Sequence, residues 1–316
     1  MLMAAAAVLI GATAAQAADT LVVYSAGPKP LSGALAEGFT KQTGVKVDLF
    51  QSTSGKVMAR YEAEKANPQV DVIISAAWGH AINLDADGDL LAYTSPNAAK
   101  VPGWLKTDTY VAQGAAALAI AYNTTAGIKP PAEWSDLTKP EYKDLVTMPD
   151  PSKSGSALTL VQGLTAQYGD KAWNMFADLN ANGMILPGAN NAALNPVLQG
   201  AKAVVFGAVN YIVLGQKAKG EKIEVVFPAS GTVLAPRPIM ITKSSQHADL
   251  AKKFVDYVLS EEGQKLVAGR LILPARTDIK ALRPGFDELK IIEVDYVQAA
   301  KDAEATRARF KANTGS

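Results

Sequence analysis

Between residues 20 and 75 the hydrophobic period switches repeatedly from that of a strand to that of a helix, and this alternation restricts the fold more than any other feature. Residues 20–25, TLVVYS, read as a β-rich, largely apolar strand that stops at Ala26-Gly27-Pro28. Residues 31–40 carry Leu31, Leu35 and Phe39 at helical spacing on one face. Gly44 breaks that run, and residues 45–50 alternate as a second strand. The small polar turn Gln51-Ser52-Thr53-Ser54-Gly55 leads into a helix over 56–65, which ends near Asn67-Pro68. Residues 70–75 supply a third strand. The order β-α-β-α-β implies a parallel sheet with crossover helices.

A chain of 316 residues has room for two such units. A second begins after about residue 120, punctuated by Pro130-Pro131, Pro140, Pro149 and Pro151. There, 154–168 and 170–180 read as helices, and 204–206 and 223–227 as strands. An extended run resumes over 236–242, followed by an amphipathic helix over 248–259. Ser260-Glu261-Glu262-Gly263-Gln264 caps the next helix, and 297–312 reads as a charged terminal helix. At the other end, residues 1–17 have an apolar run and then Ala15-Gln16-Ala17, the pattern of a cleaved secretory leader. A cysteine-free mature chain starting at Ala18 suits a bacterial periplasm.

Composition removes several function classes. Lys+Arg number 31 against 30 Asp+Glu, so no bulk field draws in nucleic acid or a membrane surface. With no cysteine and 2 histidines, the chain has no thiol nucleophile or cysteine metal site and little for a His cage or relay. No G-x-S-x-G or S-x-x-K motif supports serine chemistry. The acidic run Asp85-Ala86-Asp87-Gly88-Asp89 lacks Gly at the sixth place and Glu at the twelfth of a calcium loop. No cofactor, no metal and no catalytic residue is expected.

The strings LVVYSAG, QSTSGKVMARYEAEKANPQVDVIIS and AYNTTAGIKPPAEWSDLTKPEYKDLVTMPDPSKSGSA, then FVDYVLSEEGQKLVAG and LPARTDI, run in order from residue 20 to about 280. Together they resemble the periplasmic solute-binding proteins of ABC importers, in particular the ferric-ion-binding group and its phosphonate- and organophosphate-binding relatives. The resemblance implies a type II two-lobe α/β fold, each lobe a mainly parallel sheet flanked by helices, joined by a two-strand hinge. It places lobe one at 18–119 plus 240–316 and lobe two at 120–239. It also implies a monomer that binds a small ligand and hands it to an ABC permease in the inner membrane.

Three loops put small hydroxyl-bearing residues where a strand or extended segment passes to a helix: Ser25-Ala26-Gly27, Ser52-Thr53-Ser54-Gly55-Lys56, and Ser152-Lys153-Ser154-Gly155-Ser156. The first N–H groups of a helix lack intrahelical partners, and the dipole adds about +0.5 charge there, so each junction suits an oxyanion. Taken singly, each also reads as an ordinary helix cap. The iron-binding relatives use a His after the first strand, a Glu after the second-strand turn and an adjacent Tyr pair. Here those positions fall at or near Pro28, at Lys56, and around Asn210-Tyr211-Ile212-Val213. A trivalent cation wants anionic oxygen ligands, and an ammonium in place of a carboxylate repels it.

Five further residues stay open between two readings. Lys56 is an anion partner or a solvated first-turn lysine. Arg237, between Pro236 and Pro238, is a two-oxygen fork for a phosphoryl group or a surface-turn arginine. Asn210 and Tyr211 face a cleft or belong to the core. Trp78 stacks on a ligand or simply packs. The expected function is capture of a small phosphorus oxyanion, an organophosphonate such as 2-aminoethylphosphonate or a small organophosphate. The alternatives are ferric iron with a synergistic anion and an enzyme on a two-lobe scaffold.

Overall fold

The computed structural model describes residues 20–283 and 286–315; the leader expected over 1–17 lies outside them. Strands β1 (Thr20–Ser25), β2 (Lys46–Gln51) and β3 (Val72–Ile74) alternate with helices α1 (Lys29–Thr43) and α2 (Ser54–Ala63), as the hydrophobic periods require. β1 lies between β2 and β3 and is parallel to both. α1 buries Leu31, Leu35 and Phe39. It ends where Gly44 turns left-handed at φ 76° and returns its N–H to Thr40 O.

α3 (Trp78–Ala86) follows, and then β4 (Tyr110–Asn123), a 14-residue strand with no counterpart among those expected from the sequence. The second unit contains β5 (Val146–Thr147), α4 (Gly155–Tyr168), α5 (Asp170–Ala181), α6 (Asn190–Leu198), β6 (Val204–Val209), α7 (Asn210–Lys217) and β7 (Ile223–Val226). β8 (Leu234–Ile241) leads back to α8 (Ala248–Val258), α9 (Glu261–Gly269) and β9 (Leu273–Pro274). Ser260 caps α9 by accepting from Gly263 N–H. The strand order is β2-β1-β3-β8-β4-β6-β5, with β7 and β9 also on β4.

β4 holds the two sheet halves together. Its residues 110–117 pair with β8, and 118–122 pair with β6. Its run Gly114-Ala115-Ala116-Ala117-Leu118-Ala119-Ile120-Ala121 is buried throughout. Small side chains there let neighbouring elements approach both faces of the sheet, although alanine is a poor strand former.

β8 contains Pro236 and Pro238 and is nonetheless an inner strand. Pro238 O accepts from Ser75 N–H, so its peptide faces β3, as does that of Pro236 two residues away. β3 ends at Ile74, so the missing N–H groups fall beyond its last residue and forfeit no ladder bond. A β-bulge shifts the register between β4 and β8. Ala112 pairs with Pro238 and Gly114 with Arg237, so Gln113 and Gly114 together oppose Arg237.

The tail is two helices, α10 (Tyr296–Lys301) and α11 (Ala303–Thr314), broken at Asp302 where one terminal helix was expected. α10 lies on α3, where a carbon built on Gly79 would come 3.4 Å from Ala300 Cβ. α11 docks on α5: Phe310 meets Phe176 edge-on at 5.2 Å, Arg309 stacks over Trp173 at 4.5 Å, and Arg309 pairs with Asp170 at 2.8 Å. We therefore propose lobes that divide along β4 and β8, with α10 on the first and α11 on the second. The expectation above put all of 240–316 in lobe one.

Phe310 is almost fully buried, so Phe310→Ala is expected to lower unfolding stability in urea by about 3 kcal/mol. A loss below about 0.5 kcal/mol, the range of a surface substitution, would mean α11 is not docked as described.

Candidate functional site

Arg237 projects from β8 at the junction of the two sheet halves and is 2% exposed. Its Nη2 donates to Ala26 O at 2.8 Å, at the carboxyl end of β1. Its Nη1 reaches the Tyr211 hydroxyl at 3.5 Å, in the first turn of α7. Its Nε has no partner, and no Asp or Glu among the described residues pairs with it. An ionised group taken out of water without a counterion is strongly disfavoured. The site therefore favours anything that brings negative charge to Arg237.

The residues around it are held by backbone geometry. Ser25 Oγ accepts from Gly27 N–H at 3.0 Å and shares a 2.8 Å bond with Ser32 Oγ. Gln51 Nε2 donates to Gly27 O, and Ser52 N–H donates to Ser25 O, so the loops after β1 and β2 are tied together. Asn210 is fully buried and accepts from Ala117 N–H of β4 through Oδ1 at 3.2 Å, which leaves Nδ2 without a partner. Asn210 and Tyr211 thus face the junction from the second half as Ser25 and Ala26 do from the first.

A second group forms where the N-termini of α2, α3 and α4 meet. A carbon built on Gly155 would lie 2.5 Å from Ala77 Cβ and 3.4 Å from Ser54 Oγ, and one on Gly55 would lie 3.6 Å from Ser152 O. Only glycine at 155 admits this approach. The first-turn amides of Gly55, Gly155 and Ser156 have no hydrogen-bond partner among the described residues. Three helix N-termini at one place give a positive local potential. Ser75 N–H bonds to Pro238 O, next to Arg237, which links this group to the first.

Several expected side chains have other duties. Ser154 Oγ caps α4 by accepting from Ala157 N–H at 3.2 Å and donates to Asn190 Oδ1 at 2.9 Å. Ser156 Oγ accepts from Asn190 Nδ2 at 3.2 Å. Thr53 caps α2 through a long 3.5 Å bond from Lys56 N–H. The Lys56 side chain is exposed on the first turn of α2. Trp78 is buried edge-on against Tyr110 at 5.0 Å. Pro28, at the place of the iron-binding histidine, is the N-cap of α1.

Behind the α3 N-terminus, His80 Nδ1 lies 2.8 Å from buried Ser75 Oγ. Desolvation, with Arg307 adding like charge, pushes its pKa down to about 4 and keeps the ring neutral. The carboxylate of Asp150, before α4, is disfavoured by burial. Hydrogen bonds from Ser152 and Lys153 nevertheless hold its pKa below the ordinary value. Sequence reasoning missed Gln113, which is fully buried on the β4 bulge with neither amide atom partnered among the described residues. The signal was one amide side chain inside the apolar run from Tyr110 to Tyr122.

The bacterial extracellular solute-binding protein family matches residues 67–298. An uncharacterized protein of Haemophilus influenzae is 29% identical over 309 residues, 89% of this chain and 86% of that one. A putative 2-aminoethylphosphonate-binding periplasmic protein of Salmonella typhimurium is 24% identical over 252 residues, 77% and 73% of the two chains. The solved structure of the periplasmic binding protein AfuA from Actinobacillus pleuropneumoniae, with fructose-6-phosphate bound, aligns at a TM-score of 0.87 and 26% identity. That alignment covers 94% of this chain and 98% of AfuA.

The contact between Gly155 and Ala77 can be tested by a pair of substitutions. Gly155→Val is expected to destabilise by about 1–3 kcal/mol through overpacking, and adding Ala77→Gly to recover part of that loss. Denaturation of the two single variants and the double variant measures the coupling. Strictly additive effects would show that the two loops do not touch.

Proposed function

The chain belongs to the bacterial extracellular solute-binding protein family, and from that membership we propose that it captures a small phosphorus oxyanion, a phosphonate or phosphate ester, between its two halves at Arg237. It is a periplasmic solute-binding protein of the type II fold, the ligand-capturing component of an ABC uptake system and not an enzyme. Such components bind small ligands and work with a membrane permease. Among the described residues no helix is long and apolar enough to cross a membrane.

One observation carries the ligand class: a buried guanidinium whose Nε has no partner, and which no carboxylate pairs, among the described residues, beside three converging helix N-termini. A planar fork of N–H donors suits the oxygens of a tetrahedral anion, and helix N-termini add dipole and free amides. Two relatives support the class. The ligands in their names, 2-aminoethylphosphonate and fructose-6-phosphate, share a phosphorus oxyanion and little else. Ferric iron fits the same residues poorly. Tyr211 has Asn210 and Ile212 as neighbours and a guanidinium against its hydroxyl. A fixed positive charge there repels a trivalent cation.

Calorimetry with methylphosphonate, phosphate, sulfate and ferric citrate tests this. At least one phosphorus oxyanion is expected to bind, and at 100 times its Kd to add about 2.7 kcal/mol of stability. Arg237→Gln is expected to weaken that binding about 100-fold, two charge-assisted bonds being worth about 3 kcal/mol. The unliganded variant should be no less stable than the parent, because the substitution removes a buried unpaired charge. Ferric binding with a visible phenolate charge-transfer band, and no response to any phosphorus oxyanion, would overturn the reading.

A further inference from the structure

Of the buried side-chain polar atoms without a partner among the described residues, four belong to Gln113, Asn210 and Arg237. These residues come from adjoining elements. Gln113 lies on the β4 bulge opposite Arg237, and Asn210 Oδ1 is held by Ala117 N–H of the same strand. Leaving a buried polar group unsatisfied is unfavourable, so such a concentration at one junction marks a place where a ligand completes the bonding.

The four atoms have a definite polarity. Arg237 Nε and Asn210 Nδ2 only donate. Gln113 offers one donor and one acceptor whichever way its amide is turned. The set therefore matches an oxyanion joined to a group that both donates and accepts, which is the property of a hydroxyl. It does not match an ammonium. Among the described residues the one buried acid is Asp71, and its oxygens are taken by Val22 N–H, Ser245 Oγ and His247. Asp150, in the loop before α4, is committed to Ser152 and Lys153. An ammonium brought to this junction would meet a guanidinium and a single amide carbonyl, with no counterion.

We propose that Gln113 is the specificity-determining residue of the site: it reads an uncharged, hydroxyl-bearing tail of the ligand beside the oxyanion held at Arg237. The proposal rests on the oxyanion reading and goes further by assigning the other end of the ligand. The β-bulge is the structural device, because it sets a second residue, Gln113, opposite Arg237 in the register of β4 and β8.

The probes are methylphosphonate, 2-hydroxyethylphosphonate and 2-aminoethylphosphonate, titrated calorimetrically into the whole protein. The wild type is expected to bind the hydroxyethyl compound about 10-fold or more tightly than the aminoethyl compound. Gln113→Met is expected to weaken the hydroxyethyl compound about 10-fold and leave methylphosphonate within about 2-fold, one hydrogen bond being at stake. Equal losses for the two in Gln113→Met, or aminoethyl binding as tight as hydroxyethyl in the wild type, would overturn the assignment. The wild-type comparison stands even if Gln113→Met does not fold. If no probe binds the wild type, the oxyanion reading itself falls and takes this one with it. If probes bind but Gln113→Met alters none of them, only the role of Gln113 falls.

Discussion

A guanidinium that no carboxylate among the described residues neutralises sits where the two halves of the sheet meet, and the rest of the site is arranged around it. Arg237 is held on one side by Ala26 O and on the other by the Tyr211 hydroxyl, so it touches both halves at once. A buried ion pair would have satisfied the charge internally and left nothing for a ligand to do. Without one, the protein keeps an unmet electrostatic demand in a low-dielectric place. In the proposed reading, a ligand that meets it also bridges the halves, which would couple binding to closure.

The backbone makes this arrangement possible. β4 runs through both halves and pairs with four other strands, and β8 lies against its first-half portion. Arg237 stands on β8 and Gln113 on β4. The prolines on either side of Arg237 are tolerated because β3 stops before reaching them. They also fix φ on both sides of the arginine. α11 adds a third link, since the tail passes from α3 to α5, with Arg307 set against His80 behind the α3 N-terminus.

Residues 20–75 were legible because each element has a clean period and the breaks fall at Gly44 and Pro68. The same clarity exposed the three loops, and two of them, around Ser54 and Gly155, do meet. β4 was illegible for a physical reason. A strand covered on both faces and paired on both edges selects small residues for fit, and Gly-Ala-Ala-Ala carries no strand signature. Missing β4 meant missing its bulge, and with it Gln113. Lys56 and Trp78 show the opposite limit. Each residue turns a helix by about 100°, so a shift of one residue in where the helix starts exchanges an outward for an inward side chain, and sequence spacing does not fix that start. The split of the tail at Asp302 was hidden because a charged, Ala-rich run favours helix on either side of the break.

The most direct measurement observes Arg237 itself. In protein labelled with 15N-arginine, the Nε–H resonance lost in Arg237→Lys identifies this side chain in a two-dimensional proton–nitrogen spectrum. Addition of a phosphorus oxyanion that binds is expected to move that resonance downfield and slow its exchange with water, because Nε–H gains an anionic acceptor. A bound oxyanion that shifts other resonances and leaves Arg237 Nε–H where it was would contradict the account.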